Sequence, residues 1–176
     1  MLKKLLITSL LVCTHFNLKA EEKIVFHLPK WEINSEEKTD QEMMASYKPL
    51  RPISSEIEDQ VVIKTLVGKT DSTAQAWLEK LREDRKIECN HFSLIEIPVM
   101  GADPAPAVGQ VLYCGQEKES GNGVISMHRV TEGKENLYVI ERRWTTYPFD
   151  HPETAFVVRE ELMPWIRQMT QAFLTE

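Results

Sequence analysis

The sequence predicts one α+β domain of two layers, an antiparallel sheet of about five to six strands with helices packed on it and one disulfide. Three observations predict this fold. Short apolar segments rich in β-branched residues recur along the chain, and turn-forming residues separate them. Two other segments place their apolar residues at helical spacing. Two cysteines, Cys89 and Cys114, remain when the N-terminal leader is left out.

The leader, residues 1–20, has the composition of a cleaved secretory signal peptide. Lys3 and Lys4 precede the apolar run LLITSLLVC, residues 5–13, and Ala20 stands before two glutamates. The run is well short of the roughly 20 residues that span a bilayer. An alternative is a lipoprotein anchored through Cys13, although Val12 stands where a smaller residue is expected. The sequence therefore predicts export, to the periplasm or beyond the cell.

Composition limits the classes of partner. Cleavage after residue 20 would remove three lysines and no acid, which leaves 18 Lys and Arg against 27 Asp and Glu, a net charge of −9. Such a surface repels phosphate backbones, so we expect no nucleic-acid partner. We divide the chain into the signal peptide (1–20), an N-terminal strand and polar loop (21–56), and the α+β core of the single domain (57–176).

The first half of the mature chain predicts two strands and one helix. A strand is expected over residues 21–33, then a polar loop over 34–56 with at most a short helix at 41–46, then a strand over 61–67. Gly68-Lys69-Thr70 resembles the end of a phosphate-binding loop, but Ile63 stands where that pattern requires glycine. The triplet is interpreted as a turn into the helix.

That helix is predicted to begin at a capping box of Ser72 and Gln75. Its apolar stripe consists of Ala74, Trp77, Leu78 and Leu81, and we expect it to end before Ile87. A second helix closes the chain, with Pro164 in its first turn, where a missing N–H is tolerated. Its predicted stripe is Leu162, Trp165, Ile166, Met169 and Phe173.

Between the helices, four strands are predicted to form a meander. Segments 91–97 and 110–114 flank a loop over 98–109, and segments 123–131 and 136–147 follow, the first of them after the Asn122-Gly123 turn signal.

Cys89 and Cys114 bracket the first of these strand pairs. If the two strands are antiparallel neighbours, the cysteines meet across them, and an even pair in an exported protein favours a disulfide. Closing the loop would stabilise the fold by roughly 3.5 kcal/mol in the chain-entropy model. A metal site with His91 and His128 is the less favoured alternative, because structural zinc usually takes its cysteines in close pairs. A free thiol is the third reading.

The segments GKTDSTAQAWLEKL (68–81) and LYVIERRW (137–144), with the Trp-bearing terminal helix, resemble the PsbP-like α/β sandwich. They are also similar to small exported bacterial proteins of uncharacterised function. The resemblance implies a non-catalytic binding platform without a cofactor.

Catalytic motifs are few. The sequence contains no G-x-S-x-G and no H-E-x-x-H. Asp150-His151 lies on a proline-flanked connector and is interpreted as a turn, although a histidine beside an acid could act as a base. A small exported hydrolase that uses this pair, or His91 and His128, is therefore the alternative function.

Two regions are candidates for binding. Tyr138, Arg142 and Trp144 alternate onto one face of the last strand. If that face is buried, Arg142 must reach an acid or the rim; if it is open, the cation could hold an anionic group or a partner chain. The second region is the loop 98–109, with Gly101 and Asp103. The leading hypothesis is a non-catalytic exported domain that binds a protein or an envelope component, with no metal.

Overall fold

A computed structural model describes residues 22–68, 72–97, 105–155 and 159–175. The predicted signal peptide and the loop residues Gly101 and Asp103 lie outside these ranges. The elements in chain order are β1 (Lys23–Val25), β2 (Trp31–Lys38), β3 (Glu42–Pro49), β4 (Glu58–Leu66), α1 (Ala74–Glu88), β5 (Cys89–Ile97), β6 (Ala107–Glu117), β7 (Gly123–Glu132), β8 (Leu137–Thr146), a 3-10 turn (Pro152–Thr154), α2 (Arg159–Met169) and β9 (Phe173–Thr175).

Seven strands form one antiparallel sheet in the order β2-β3-β4-β8-β7-β6-β5, and β1 pairs with β9 in a separate two-stranded sheet. The predicted α+β class and antiparallel sheet are confirmed. The sheet is larger than the five to six strands expected, because residues 34–56 contribute most of a β2–β3 hairpin. The polar loop and the short helix predicted there are wrong.

The hairpin escaped sequence reasoning because β2, WEINSEEK, is charged and almost wholly exposed. It is one of the two edge strands of the sheet, where charged side chains protect unpaired backbone groups from pairing with other chains. Its turn is built by Thr39, whose hydroxyl accepts hydrogen bonds from the amides of Gln41 (3.3 Å) and Glu42 (3.0 Å). Hydrophobic periodicity therefore gives no signal for this strand.

The two helices pack on opposite faces of the sheet. Helix α1 joins a core cluster that includes Leu137 and Val139, whereas α2 joins one that includes Ile140 and Trp144. Because side chains alternate along β8, Val139 and Ile140 point to opposite sides. The two-layer arrangement is therefore corrected to three layers, with the sheet between α1 and the layer formed by α2, β1 and β9.

Helix α1 begins one residue later than the capping box predicts. Thr73 is its N-cap and accepts a hydrogen bond from the Ala76 amide (3.1 Å), while the carboxylate of Glu132 accepts one from the Ala74 amide (2.7 Å). The helix continues through Ile87 to Glu88, so the predicted earlier end is also wrong. A contact from β7 thus replaces part of the local cap.

Helix α2 follows its predicted stripe as far as Met169. Leu162, Trp165, Ile166 and Met169 belong to the larger core cluster, whereas Phe173 lies in β9. Pro164 lies inside the helix rather than in its first turn. No helix among the described residues is long and apolar enough to cross a membrane.

The predicted disulfide between Cys89 and Cys114 is confirmed, with a Cα–Cα distance of 5.4 Å. The cysteines are not direct register partners, since Cys89 pairs with Glu117 and Cys114 with Phe92. Between the two cysteines, the backbone of His91 has a φ of 58°, in the left-handed region. Strand β6 begins at Ala107, so the connection is shorter than the predicted loop 98–109.

Candidate functional site

A cleft of about 530 Å³ opens on the α2 face of the sheet, between the start of β2, the β3–β4 connection and α2. Trp31, Trp165, Leu50 and Ile53 line its sides. Its floor holds a charged residue from β8, Arg142, together with an acid from β4.

Arg142 reaches that acid, Asp59, through two hydrogen bonds. Its Nε donates to Oδ1 at 3.0 Å and its Nη2 donates to Oδ2 at 2.7 Å. Register places Val61 opposite Arg142 and Asp59 opposite Trp144, so Asp59 is the diagonal neighbour on the same face. Both residues are 6% exposed. The planar guanidinium fork matches the carboxylate, which makes this a strong, oriented ion pair.

Three indole rings enclose the guanidinium. Its central carbon lies 4.5 Å from the ring centroid of Trp144, 4.7 Å from that of Trp165 and 5.0 Å from that of Trp31. The rings come from β8, α2 and β2, so three separate elements converge on one cation. Such contacts contribute from about 0.5 kcal/mol when exposed to about 2 kcal/mol or more when desolvated. Together with Asp59 they fix the orientation of Arg142.

Part of the hydrogen-bonding capacity of Arg142 is unused. Its Nη1 donates to no residue in the described part of the chain, and 7% of the side chain is exposed. The nearest further carboxylate, that of Glu161, lies 3.6 Å from Nη2, too far for a hydrogen bond. Arg142 is therefore anchored by Asp59 and lines the cleft, and its Nη1 has no hydrogen-bond acceptor among the described residues.

The rim of the cleft adds two cations, Lys30 and Arg51, and one anion, Glu161. With the Arg142–Asp59 pair on the floor, the five ionisable residues that line the cleft in the described part of the chain carry a net charge of +1, whereas the whole chain carries −6. The apolar walls remain accessible, since Leu50 is 58% and Ile53 is 40% exposed. The cleft is thus apolar at its sides and basic at its rim.

The candidate binding residues from the sequence are only partly brought together. Arg142 and Trp144 are adjacent, but Trp144 is fully buried behind the guanidinium. Tyr138 is buried nearer the other end of β8, where its hydroxyl donates to the Glu22 carbonyl at 2.6 Å, outside the cleft. Gly101 and Asp103 lie beyond the described residues.

Sequence reasoning missed several residues of the cleft. Trp165 was expected only as a core residue, and Leu50 and Ile53 were placed in a featureless loop. Asp59 carried a usable signal, since it alternates with Val61 onto the buried face of a strand, where an acid needs a cationic partner.

The four residues of the hydrolase alternative do not form one group. His91 Nε2 lies 3.6 Å from Asp150 Oδ1 on the exposed surface. His128 lies in the interior, with Nε2 3.6 Å from Glu141 Oε1, on the α1 face of the sheet. His151 is exposed at the start of the 3-10 turn. None of these residues lines the cleft.

The His128–Glu141 pair belongs to a polar row across the sheet. Gln110, His128 and Glu141 are successive register partners on β6, β7 and β8. Burial raises the pKa of Glu141, but the interaction with His128, then the charges of Arg143 and Lys64, outweigh it and lower that pKa to about 2. The amide nitrogen of Gln110 and Nδ1 of His128 make no hydrogen bond within the described residues.

Among the described residues, no group of three or more His, Cys, Asp or Glu side chains is placed to hold a metal ion. Cys89 and Cys114, which the metal alternative needed as ligands, are joined to each other. The candidate site is therefore the cleft.

Comparison with known proteins adds limited information. No family model matches the sequence, and no curated protein matches it. Among solved structures, the Ran-binding protein Mog1p of Saccharomyces cerevisiae is 11% identical, with 84% of each chain covered and a TM-score of 0.46. LpqN of Mycobacterium tuberculosis, involved in cell envelope biogenesis, is 10% identical, with 89% of this chain and 91% of that chain covered and a TM-score of 0.41. Both TM-scores lie below 0.5, a likeness too low to transfer a ligand or partner, and the PsbP-like resemblance stays a prediction.

Proposed function

We propose that the protein is a non-catalytic exported domain, periplasmic or secreted, that binds a protein or an envelope component in the cleft above Arg142. The observation that carries this proposal is the Arg142–Asp59 ion pair, contacted by three indole rings, at the base of an open cleft with apolar walls. A buried ion pair adds little stability compared with apolar packing of the same volume. A rigid cation at the base of a cleft is better explained by the orientation of a ligand.

The accessible surface around the pair supports the same function. Leu50 and Ile53 keep much of their area in water beside Trp31. Clefts of about 300–1,000 Å³ with apolar walls and a few fixed polar groups are typical binding sites, and this cleft falls in that range. Tryptophan and arginine are also the residues most enriched among those that dominate binding energy.

Export is supported by two features at different levels. The first 20 residues have the pattern of a signal peptide. The Cys89–Cys114 disulfide is of the kind that forms and persists in oxidising compartments. Together they support the periplasm or the extracellular space as the place of action.

The test is affinity capture from the native envelope and culture medium with three forms of the protein. Leu50→Glu puts a charge on the cleft wall, while Ile87→Glu puts one at a 72% exposed site at the end of α1. We expect wild type and Ile87→Glu to retain a binder that Leu50→Glu loses. A binder retained equally by all three would place the binding surface elsewhere and contradict the proposal.

The hydrolase alternative has one observation in its favour, the exposed His91–Asp150 pair, in which the backbone of His91 is in the left-handed region. His128 is buried and cannot reach a substrate without a structural change. If the protein is a hydrolase, a panel of ester, glycoside and phosphate substrates should show turnover that His91→Gln abolishes. Turnover unaffected by His91→Gln would exclude this site.

A further inference from the structure

We propose that the ligand of the cleft is an organic anion, a carboxylate or phosphate group carried on an apolar body. The anionic group would lie between Nη1 of Arg142 and the cations of the rim, Lys30 and Arg51. The body would lie against Trp31, Leu50 and Ile53. This inference rests on the proposed function, because it names the class of ligand for the same cleft.

The first support is the state of Arg142. Asp59 and the three indole rings hold the guanidinium in one orientation, and Nη1 donates no hydrogen bond to the described residues. A donor that is held in place before binding loses little freedom when an acceptor arrives. Hydrogen bonds from guanidinium to carboxylate or phosphate are short and about twice as strong as neutral ones.

The second support is the local reversal of charge. The described residues that line the cleft carry +1 on a chain of −6, and apolar walls concentrate the field of the charges that line them. The acidic remainder of the surface would repel an extended anionic layer such as a phospholipid membrane. A single small anion inside the cleft is instead exposed mainly to the cations within about 10 Å, the screening length at 0.1 M salt.

Glu161 provides an internal control for the sign of the ligand charge. Its carboxylate shares the rim and lies 3.6 Å from Arg142 Nη2, so it competes with an incoming anion for the same cation. Lys30, Arg51 and Glu161 are all rim residues, and each can be neutralised to glutamine. If the ligand is an anion, neutralising Lys30 or Arg51 should weaken binding, and neutralising Glu161 should strengthen it.

The first experiment compares ligands of one chain length by tryptophan fluorescence, since Trp31 and Trp165 line the cleft. The disulfide-bonded protein is titrated, below micelle formation, with decanoate, decyl phosphate, decanol and decyltrimethylammonium. We expect the two anions to bind at least about tenfold more tightly than the alcohol or the cation. The two anions differ in headgroup, so their order distinguishes a carboxylate ligand from a phosphate ligand. Equal affinity for decanol and decanoate would overturn the inference.

The second experiment uses the rim variants with decanoate. Lys30→Gln and Arg51→Gln should each weaken binding about two- to fivefold, and Glu161→Gln should tighten it by a similar factor. Lys80→Gln, on the exposed face of α1 across the sheet, is the matched control and should change nothing. Opposite signs in the three rim variants would identify a cationic ligand and overturn the inference, as would no change in any of them.

These outcomes separate the inference from the proposed function. If Leu50→Glu abolishes capture of a native binder but none of the anions binds, the cleft is a binding site and only the ligand class is wrong. If Leu50→Glu changes neither capture nor anion affinity, both proposals fail. If the anions bind and Leu50→Glu weakens them, both are supported.

Discussion

Two consecutive residues of β8, Glu141 and Arg142, each lie beside a polar partner inside the fold, one on each face of the sheet. On the α2 face, Arg142 makes two hydrogen bonds to Asp59, and both residues line an open cleft. On the α1 face, Glu141 lies 3.6 Å from a histidine that is sealed from solvent. These two neighbouring residues of opposite charge thus have different surroundings, and of the two pairs only Arg142–Asp59 lines the cleft.

Removing one partner of the open pair should have the largest effect on stability. Asp59→Leu leaves the Arg142 guanidinium buried without its carboxylate, so we expect a loss of about 3–5 kcal/mol in the free energy of unfolding. Urea denaturation measures this loss. The double replacement Asp59→Leu with Arg142→Met removes both charges and should return stability to near that of wild type. A loss below about 1 kcal/mol for the single variant would mean that solvent already reaches the guanidinium.

The sealed pair can be tested with pH. The pKa of Glu141 is about 2 in the folded protein and 4.5 in an unperturbed chain. A lowered folded-state pKa stabilises the fold above pH 4.5, and that stabilisation is lost as the pH falls towards 2. The shift corresponds to about 3 kcal/mol.

Urea denaturation at pH 7, 4 and 3 measures this loss. Glu141→Gln should be less stable than wild type at pH 7 but should lose less stability on acidification. Equal acid sensitivity in the two proteins would assign the effect to other carboxylates.

Sequence reasoning recovered the parts of the molecule whose signals are local. The strands of the meander and the stripes of both helices follow from alternation and helical spacing, and the cysteine pair follows from its count and compartment. The β2–β3 hairpin was missed because its edge strand is charged, and the helices were put on one face because periodicity does not say which side a helix packs on.

Only part of the candidate site could be predicted from the sequence, because its other contacts join residues that are distant along the chain. Arg142 and Trp144 belong to one strand, so alternation alone placed them together. Asp59 lies 83 residues away in sequence from Arg142, and Trp31 approaches from the start of β2, a strand whose later residues were predicted as a loop. Contacts of this range depend on strand order, which the local pattern of a single sequence does not encode.

The smallest expected effect on stability concerns the contact between Trp31 and the Arg142 guanidinium. Trp31 contacts the Arg142 guanidinium at the mouth of the cleft, whereas Trp77 packs on the opposite, α1 face of the sheet. A double-mutant cycle combines Trp31→Leu with the paired replacement Asp59→Leu and Arg142→Met, which leaves no charge unpaired. We expect a coupling energy of about 0.5–2 kcal/mol, in the range of a partly desolvated cation–π contact.

The same cycle with Trp77→Leu is the control and should show a coupling energy near zero, because the two sites are not in contact. Equal coupling in both cycles would mean that tryptophan loss disturbs the whole sheet. A coupling confined to Trp31 would show that the indole at the mouth acts on the cation beneath it. That is the property the cleft needs if Trp31 is to hold Arg142 in place while a ligand binds above it.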